Sequence, residues 1–437
     1  MNNRMNKGLG IGLATVLLTG ALAGCGSDSG SKESGASGSG APAKEIKLKF
    51  SIWGNDTHKA MYETMIENYR KDHPNVSVEI MTIPSADYQQ KLSVLMASKT
   101  APDIVWLMER SIPQFLGAGQ LADISGIKDD PNYKFEDLIP STLELLTKDG
   151  KTYGIPFSTP PNMIYYNKTL FAEKGLKTPT ELYEEGNWTY DEMAKAAAAL
   201  TDKSKGVYGV NLIRPNGWTT SWTESLQTLV WAFGADYFSA DGKQFALNTP
   251  AGIDALQFYS DAMFKSEIHP KPGDQTTFET GKIAMQQDLF SYMGKAKAIA
   301  DFEWDIAPMP SGAGGQGTTL GYAGYAVTKD SEHVAEATDF VKYLTSPENM
   351  AVTSQFFVPS RKSVLESQDF LNQGPSPESV KTAVLDQMAG ARVRPAFQNF
   401  QQIDEKMKIG FDSIYTKSKP IEDIVKDLEK EVSPLLK

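Results

Sequence analysis

The chain has 437 residues, a length that predicts two or three domains or two large lobes. Its 54 acidic and 43 basic side chains give a formal net charge of -11, which does not favour nucleic acid or another polyanion as a partner. One cysteine excludes a disulfide framework within the chain and a site built from several thiolates, and the four histidines match no metal-binding spacing.

The first 24 residues are typical of an export signal. Arg4 and Lys7 precede residues 8–23, which carry no charge and are fewer than the ~20 apolar residues of a membrane-spanning helix. Small residues then lead into Cys25, and LAGC at 22–25 resembles the lipobox of bacterial lipoproteins. That resemblance implies cleavage before Cys25 and a diacylglycerol on its sulfur, so that the protein works outside the cytoplasm on a membrane. The alternative is a thiol that packs in a core.

A flexible tether is predicted after the cysteine. Residues 26–40 contain 11 glycines or serines and no apolar side chain larger than alanine. Such a segment cannot bury enough apolar surface to offset the entropy of ordering it. We therefore predict a flexible linker over residues 25–44, with a typical reach of roughly 24 Å.

An open α/β unit is predicted next along the chain. Apolar and polar residues alternate over 46–52 and again over 76–80, the period of a strand. Between them, apolar residues recur at helical spacing over 56–73. After a second helix at 88–98, the apolar run IVWL at 104–107 predicts a strand buried on both faces. The first two strands should be parallel neighbours, because a helix connects them.

A stiff crossing between two lobes is predicted at residues 158–162. This proline-rich segment, STPPN, separates the strand-like YGIPF at 153–157 from a short strand at 163–166. Two prolines in succession restrict the backbone on both sides of the crossing. The segment is therefore a candidate for a link between two lobes.

Helical and strand patterns continue to the end of the chain. We predict a helix at 189–200 with Thr189 and Glu192 as a capping box, and a shared helix face for Trp218, Trp222 and Leu226. The other predicted elements are a strand at 282–285, a glycine-rich loop at 311–317, a strand at 322–327, a helix at 332–344 and an amphipathic helix at 421–436.

Known catalytic signatures are missing from the chain or fail at a required position. Gly150 and Lys151 end a sequence like a phosphate loop, but Leu145 stands where that motif needs a glycine. Residues 312–317 match G-x-G-x-x-G but run into threonines instead of a helix. The chain has no G-x-S-x-G and no H-E-x-x-H, and nothing marks a carboxylate pair as that of a glycosidase. We predict a protein that is not an enzyme and has no cofactor or catalytic metal.

Aromatic and polar side chains follow two of the predicted strands, where the ligand crevice of an open α/β sheet lies. These residues are Trp53, Asn55 and Asp56 where one strand stops, and Trp106, Glu109 and Arg110 at the end of another. Sugar rings present apolar C–H faces and a rim of hydroxyl groups, so a sugar site needs aromatic plates beside carboxylate, amide or guanidinium groups. The pattern indicates a carbohydrate site, and core packing is the alternative for each tryptophan.

Short motifs stand in a fixed order along the chain. They are KFSIWG at 49–54, APDIVW at 101–106, YGIP at 153–156, YYNK at 165–168, NWTYDE at 187–192, GKIAM at 281–285, WDIAPMP at 304–310 and FVKYLTSPE at 340–348. In this order the chain resembles the family 1 extracellular solute-binding proteins of bacterial ABC importers, the maltose-binding-protein-like group. The resemblance implies an α/β protein with the two-lobed periplasmic-binding-protein-like fold, a hinge and a ligand cleft between the lobes.

The resemblance also implies the extent of each lobe. Lobe 1 would comprise residues 45–157 plus 320–375, and lobe 2 would comprise 158–319 plus 376–437. Ligand contacts would come from Trp53, Asn55, Asp56, Trp106, Glu109, Arg110, Asp288, Phe290 or Tyr292, Tyr322 and Tyr325.

The chain departs from the maltose-binding branch at two places. Pro160 and Pro161 replace a carboxylate after the first crossing and leave Asn162 as the nearest polar group. In the turn after GKIAM, the sequence LFS at 289–291 replaces the Gly-x-Trp of that branch. Both departures argue against maltodextrin itself as the ligand. Trp218 and Trp222 are added as candidate ligand residues by position only, with a helix core as the alternative.

These features predict a lipid-anchored extracellular protein that captures a carbohydrate, an oligosaccharide in the first instance, and delivers it to an ABC permease. We expect a monomer on the cell membrane of a Gram-positive bacterium. The alternatives are a binding protein for a glycerol phosphodiester or polyamine, binding of an acidic oligosaccharide through Arg110, a secreted glycosidase and a surface adhesin.

Overall fold

The computed structural model describes residues 44–54, 56–213, 218, 220–393, 397 and 399–436. The strands are β1 Ile46–Trp53, β2 Val76–Ile83, β3 Ile104–Met108, β4 Thr147–Lys148, β5 Lys151–Thr152, β6 Ile155–Ser158, β7 Asn162–Asn167, β8 Met285–Leu289, β9 Trp304–Pro308, β10 Ser311–Gly312, β11 Gly315–Gln316, β12 Thr319–Leu320, β13 Ala323–Val327 and β14 Arg392–Val393. The α-helices are α1 Asp56–Asp72, α2 Ser85–Ala97, α3 Ile112–Gly117, α4 Pro140–Leu143, α5 Lys168–Glu173, α6 Pro179–Glu184, α7 Tyr190–Leu200, α8 Ser221–Glu224, α9 Leu226–Ala232, α10 Pro250–Phe264, α11 Met293–Ala296, α12 Val334–Leu344, α13 Pro347–Thr353, α14 Lys362–Leu365, α15 Gln368–Leu371, α16 Pro377–Ala383, α17 Phe400–Tyr415 and α18 Ile421–Val432. The predicted export signal, Cys25 and all of the linker except Lys44 lie outside the described residues.

The first sheet has the strand order β2-β1-β3-β13-β6. β1 runs parallel to β2 and β3, whereas β13 runs antiparallel to β3 and β6. Leu48, Phe50 and Ile52 of β1 are fully buried because alternate side chains of a strand point to the same face. β3 is apolar throughout, and Ile104 to Leu107 are buried as expected of a central strand. The predicted β-α-β unit is confirmed.

The second sheet has the strand order β8-β7-β9, with both outer strands antiparallel to β7. Thr159, Pro160 and Pro161 connect β6 to β7, so the chain passes from the first sheet to the second at the predicted crossing. The segment between β12 and β13 lies beside it, because the Gly321 N–H donates to the Pro160 carbonyl oxygen at 2.8 Å. Val358 lies against the same crossing and accepts the Thr159 N–H at 2.9 Å.

Within the described residues, buried apolar side chains form one cluster on the first sheet and two on the second. The two clusters of the second sheet lie on opposite faces of β7. Ile164 and Tyr166 belong to one cluster and Met163 and Tyr165 to the other, because successive side chains of a strand point to opposite faces. We call the first sheet with its cluster the first lobe, and the second sheet with its two clusters the second lobe.

The far end of the chain packs mainly with the second lobe. Val358, Leu365, Phe370 and Leu371 already belong to a cluster of β7, before the return to that lobe predicted at residue 376. The buried face of α18, from Ile421 to Val432, packs in the other cluster, so the predicted amphipathic helix is confirmed. The exact lobe boundaries stay a prediction.

Helix α7 begins where the sequence predicts. The Thr189 hydroxyl accepts the Glu192 N–H at 3.2 Å, which satisfies one free donor of the first turn. The Glu192 carboxylate accepts from Lys195 at 2.6 Å, so the reciprocal half of the predicted capping box is replaced by an ion pair. A complete capping box stands at Thr178 and Glu181, at the start of α6. No helix in the described ranges is long and apolar enough to cross a membrane.

Other predicted elements differ in the structure. Trp218, Trp222 and Leu226 do not share a helix face, because α8 ends at Glu224 and α9 begins only after Ser225. The strand predicted at 282–285 begins at Met285, and the preceding residues contribute an isolated bridge. The predicted glycine-rich loop at 311–317 contains the hairpin β10-β11.

Candidate ligand-binding site

A cavity of about 520 Å³ lies where the two lobes meet. From the first lobe it is lined by Trp53, Met108, Glu109, Arg110, Phe157, Ser158, Tyr322, Ala323 and Phe357. From the second lobe it is lined by Thr220, Glu224, Asp288, Leu289, Ser291, Tyr292 and Lys295, and from the crossing segments by Pro160 and Gly321. A cavity of this size is typical of a small-molecule site.

The topology of the first sheet brings its part of the wall together. β1 and β3 are parallel and end at the same edge, at Trp53 and Met108. β13 runs the opposite way and begins at that edge, with Ala323 paired with Met108 and with Ser158 at the end of β6. The cavity therefore lies at the carboxyl ends of the parallel strands, where open α/β sheets bind ligands.

Trp53 is supported by other aromatic rings. It packs edge-on against Trp106 at 4.7 Å and against Tyr88 at 5.0 Å between ring centroids. Trp106 is only 1% exposed and also contacts Phe157 at 4.9 Å. These contacts fix the half-buried Trp53 ring at the edge of the cavity.

Glu109 and Tyr322 form a polar part of the same wall. The Tyr322 hydroxyl donates to the Thr142 carbonyl oxygen at 2.6 Å. Burial, and then the negative charge of Glu109, raise the pKa of Tyr322 well above its usual value. Tyr322 therefore stays neutral, and the nearly buried Glu109 places a carboxyl group in the same wall of the cavity.

Arg110 connects the two lobes across the cavity. Its Nε donates to Gln89 Oε1 at 2.9 Å, and its Nη1 donates to Glu224 Oε1 at 3.3 Å. The other carboxylate oxygen of Glu224 accepts from the Thr220 hydroxyl at 3.1 Å. An ion pair between the lobes thus forms one side of the site.

Asp288, Tyr292 and Lys295 form the polar wall of the second lobe. Burial raises the pKa of Tyr292 well above its usual value, and the charges of Glu279 and Asp288 add to this effect. Lys295 Nζ lies 3.9 Å from Glu279 Oε1 and 5.9 Å from the centroid of the Tyr292 ring. Carboxylates and phenol rings therefore occur on both sides of the cavity.

The structure brings together part of the predicted set of ligand residues. Those that line the cavity are Trp53, Glu109, Arg110, Asp288, Tyr292 and Tyr322. Trp106 does not reach the cavity and supports Trp53 instead. Asp56 is exposed in the first turn of α1, where its charge favours the helix N-terminus. Asn55 lies outside the described residues.

Two predicted aromatic residues lie in hydrophobic cores. The Tyr325 hydroxyl is hydrogen-bonded to the Tyr62 hydroxyl at 2.6 Å and is fully buried in the first lobe. Phe290 is 1% exposed and packs against Phe370 at 5.2 Å in the second lobe. Their neighbours Tyr322 and Tyr292 line the cavity instead. Tyr322 stands just before β13, and Tyr292 points in a different direction from Phe290 because the two lie two residues apart in a 3-10 turn with three residues per turn.

Trp222 and Trp218 pack within the second lobe. Trp222 is 1% exposed, and its ring N–H donates to the Asp404 carboxylate at 2.9 Å. Trp218 packs edge-on against Tyr415 at 5.0 Å. The core-packing alternative therefore describes both tryptophans in this structure.

Asn162 supports the site without lining it. It is 1% exposed, and its Nδ2 donates to the Glu224 carbonyl oxygen at 3.2 Å and to the Thr319 hydroxyl. It therefore ties the end of α8 to the crossing segments, and it helps to place Glu224.

Sequence reasoning missed several residues of the wall. Phe157 and Ser158 stand at the end of β6, so the principle that ligands bind beyond the carboxyl ends of strands could have found them. Glu224 and Phe357 follow no strand and carry no local signal that marks them. In the described ranges, no group of three or more His, Cys, Asp or Glu residues could hold a metal ion.

Known proteins resemble this chain in sequence and in fold. The family model of bacterial extracellular solute-binding proteins matches residues 54–351. An arabinooligosaccharide-binding protein of Bacillus subtilis is 26% identical over 352 residues, which cover 76% of this chain and 75% of that protein. An uncharacterized lipoprotein of Streptomyces antibioticus is 26% identical over 325 residues, which cover 71% of this chain and 69% of that protein.

Among solved structures, an ABC substrate-binding protein of Listeria monocytogenes in complex with cycloalternan matches with a TM-score of 0.79 at 22% identity. The match covers 90% of this chain and 99% of that chain. This likeness confirms the predicted two-lobed α/β fold.

Proposed function

Because the chain belongs to the bacterial extracellular solute-binding proteins, we propose that it captures a carbohydrate between its lobes and delivers it to an ABC permease. The observation that carries this proposal is the lining of the cavity. Trp53 and Tyr322 lie beside Glu109 on the first lobe, and Asp288 lies beside Tyr292 on the second. The names of the Bacillus and Listeria proteins, which refer to arabinooligosaccharide and cycloalternan, support the same ligand class.

The chemistry of the lining suits a sugar. Aromatic rings bury the apolar C–H faces of a pyranose or furanose, and the carboxylates accept hydrogen bonds from its hydroxyl groups. A ligand of this kind would contact both walls of the cavity at once.

The connections between the lobes suit hinge closure. A ligand that contacts both walls favours the arrangement in which the walls are close, because it binds that arrangement more tightly. The crossing at 158–162 and the segment from β12 to β13 are the places where the backbone would bend. The permease would then recognise the closed pair of lobes.

Binding of a neutral oligosaccharide tests the proposal directly. We expect at least one member of a panel of arabino-, malto- and xylo-oligosaccharides to raise the melting temperature, because it binds only the native state. Calorimetry should then give a dissociation constant in the micromolar range or lower. That range corresponds to a binding free energy on the order of -8 kcal/mol or more favourable. Chromatography should recover the sugar unchanged, as expected of a binding protein and not of a glycosidase. The proposal fails if no panel member binds at millimolar concentration.

The lipid anchor forms part of the proposal. LAGC at 22–25 and the linker predicted at 25–44 would hold the protein beside its permease, and the Streptomyces relative is named a lipoprotein. We expect C25S to release the protein from the membrane fraction into the medium, as measured by fractionation and immunoblotting. C25S protein in the medium should still bind the sugar, which separates loss of the anchor from loss of folding. Retention of C25S in the membrane fraction would contradict the anchor.

A further inference from the structure

The cationic groups of the cavity lie close to carboxylates. Arg110 pairs with Glu224 at 3.3 Å, and Lys295 lies 3.9 Å from Glu279. Among the lining residues that the structure describes, three side chains are acidic (Glu109, Glu224 and Asp288) and two are basic. The lining therefore carries a small excess of negative charge even though it contains an arginine.

Glu224 is held toward Arg110 from several directions. Its second carboxylate oxygen accepts the Thr220 hydroxyl at 3.1 Å, and its backbone carbonyl accepts Asn162 Nδ2 at 3.2 Å. The side chains of Arg110 and Glu224 are 24% and 16% exposed, so water and salt screen the pair less than they screen a surface ion pair. These contacts hold the Glu224 carboxylate beside the Arg110 guanidinium.

An arginine in a sugar site would otherwise favour an acidic ligand. Guanidinium groups bind carboxylates and phosphates through paired hydrogen bonds, which makes Arg110 the natural contact for a uronate or a phosphodiester. In this structure Glu224 already offsets the charge of Arg110, so a ligand anion gains less from the guanidinium and also meets the negative charges of Glu109 and Asp288. An uncharged sugar meets no such obstacle, because its hydroxyl groups can donate to these carboxylates.

We propose that Glu224 is a specificity-determining residue that neutralises Arg110 and thereby restricts the site to carbohydrates without an acidic group. This inference rests on the proposed function and deepens it, since it names the ligand class. It also excludes the acidic oligosaccharide that the sequence alone left open.

The test compares neutral and acidic sugars on the full chain and on E224Q. The neutral panel is arabinotriose, maltotriose and xylotriose, and the acidic panel is trigalacturonate and glucuronosyl-xylotriose. We expect the full chain to bind a neutral sugar and to bind both uronates at least about tenfold more weakly. E224Q keeps the size of the side chain but removes the negative charge that neutralises Arg110, and it should shift the ratio of uronate to neutral affinity by about tenfold or more toward the uronates.

Two further variants test whether the change in affinity ratio comes from the pairing of Glu224 with Arg110. E63Q removes an exposed carboxylate that pairs with Lys59 at 3.5 Å, so it changes the net charge equally and should leave the ratio unchanged. The double variant R110Q/E224Q should lose the gain in uronate binding, because the gain depends on the guanidinium. Circular dichroism checks that each variant is folded, and E224A replaces E224Q if the latter does not fold.

The outcomes distinguish this inference from the proposed function. If the unsubstituted chain binds a neutral sugar and E224Q has the same ratio of uronate to neutral affinity, the role of Glu224 is overturned and the proposed function stands. A full chain that prefers a uronate also overturns the role of Glu224. If no sugar of either panel binds the full chain or E224Q, both the inference and the proposed function fail.

Discussion

At the scale of single residues, the Trp53 ring is fixed at the edge of the cavity by neighbouring aromatic rings. It is held edge-on by Trp106 and Tyr88, and Trp106 is in turn packed against Phe157. An aromatic ring that is already fixed loses little side-chain entropy when a ligand covers it. We therefore propose Trp53 as an aromatic contact for the ligand on the first lobe.

Removal of this ring tests its role. We expect W53A to weaken binding of the best neutral sugar by about 2 kcal/mol, or about 30-fold in dissociation constant, because it exposes an apolar sugar face to water. W53F keeps an aromatic face and should recover most of the affinity. Calorimetry on folded variants provides the measurement. Equal affinity of W53A and the unchanged protein would contradict the assignment.

The sequence could identify some site residues and not others, for a geometric reason. Trp53 ends β1 and Glu109 follows β3, so the position of ligand crevices at strand ends was sufficient to place both residues at the cavity. The same reasoning could not separate Tyr322 from Tyr325, because it does not establish which residues of that strand face the core. Glu224 lies in a one-turn helix of the second lobe, and only the tertiary fold brings it to Arg110.

At the scale of elements, strong periodicity made the first lobe predictable. β1, α1, β2 and β3 were expected within a few residues, because each carries a clear strand or helix pattern and a clear end signal. In the second lobe, the predicted helix face shared by Trp218, Trp222 and Leu226 was wrong. The spacing of Trp218, Trp222 and Leu226 fits one helix, but Ser225 has φ -124° and ψ -53° and separates α8 from α9.

The crossing segments are the elements that relate the lobes. Pro160 and Pro161 limit how the first crossing can bend, and the Gly321 N–H bond to Pro160 joins it to the segment leading into β13. Asn162 and Thr319 are hydrogen-bonded across the same two segments. The backbone that would act as a hinge is therefore braced by neighbouring segments.

At the scale of the whole molecule, the lobes have separate sheets and separate cores but share one cavity. This division lets one lobe move against the other without disrupting either core. The Arg110–Glu224 pair joins the walls, so charge as well as ligand contacts would influence the distance between the lobes. Capture of a carbohydrate by closure of the lobes is the central claim of the proposed function.

Small-angle X-ray scattering with and without the best neutral oligosaccharide tests that claim most directly. We predict that saturating sugar lowers the radius of gyration, because a ligand that contacts both walls favours the closed arrangement. W53A at the same sugar concentration, below its weaker dissociation constant, should keep the radius of the free protein. A sugar that binds by calorimetry and leaves the radius of gyration unchanged would contradict capture by closure.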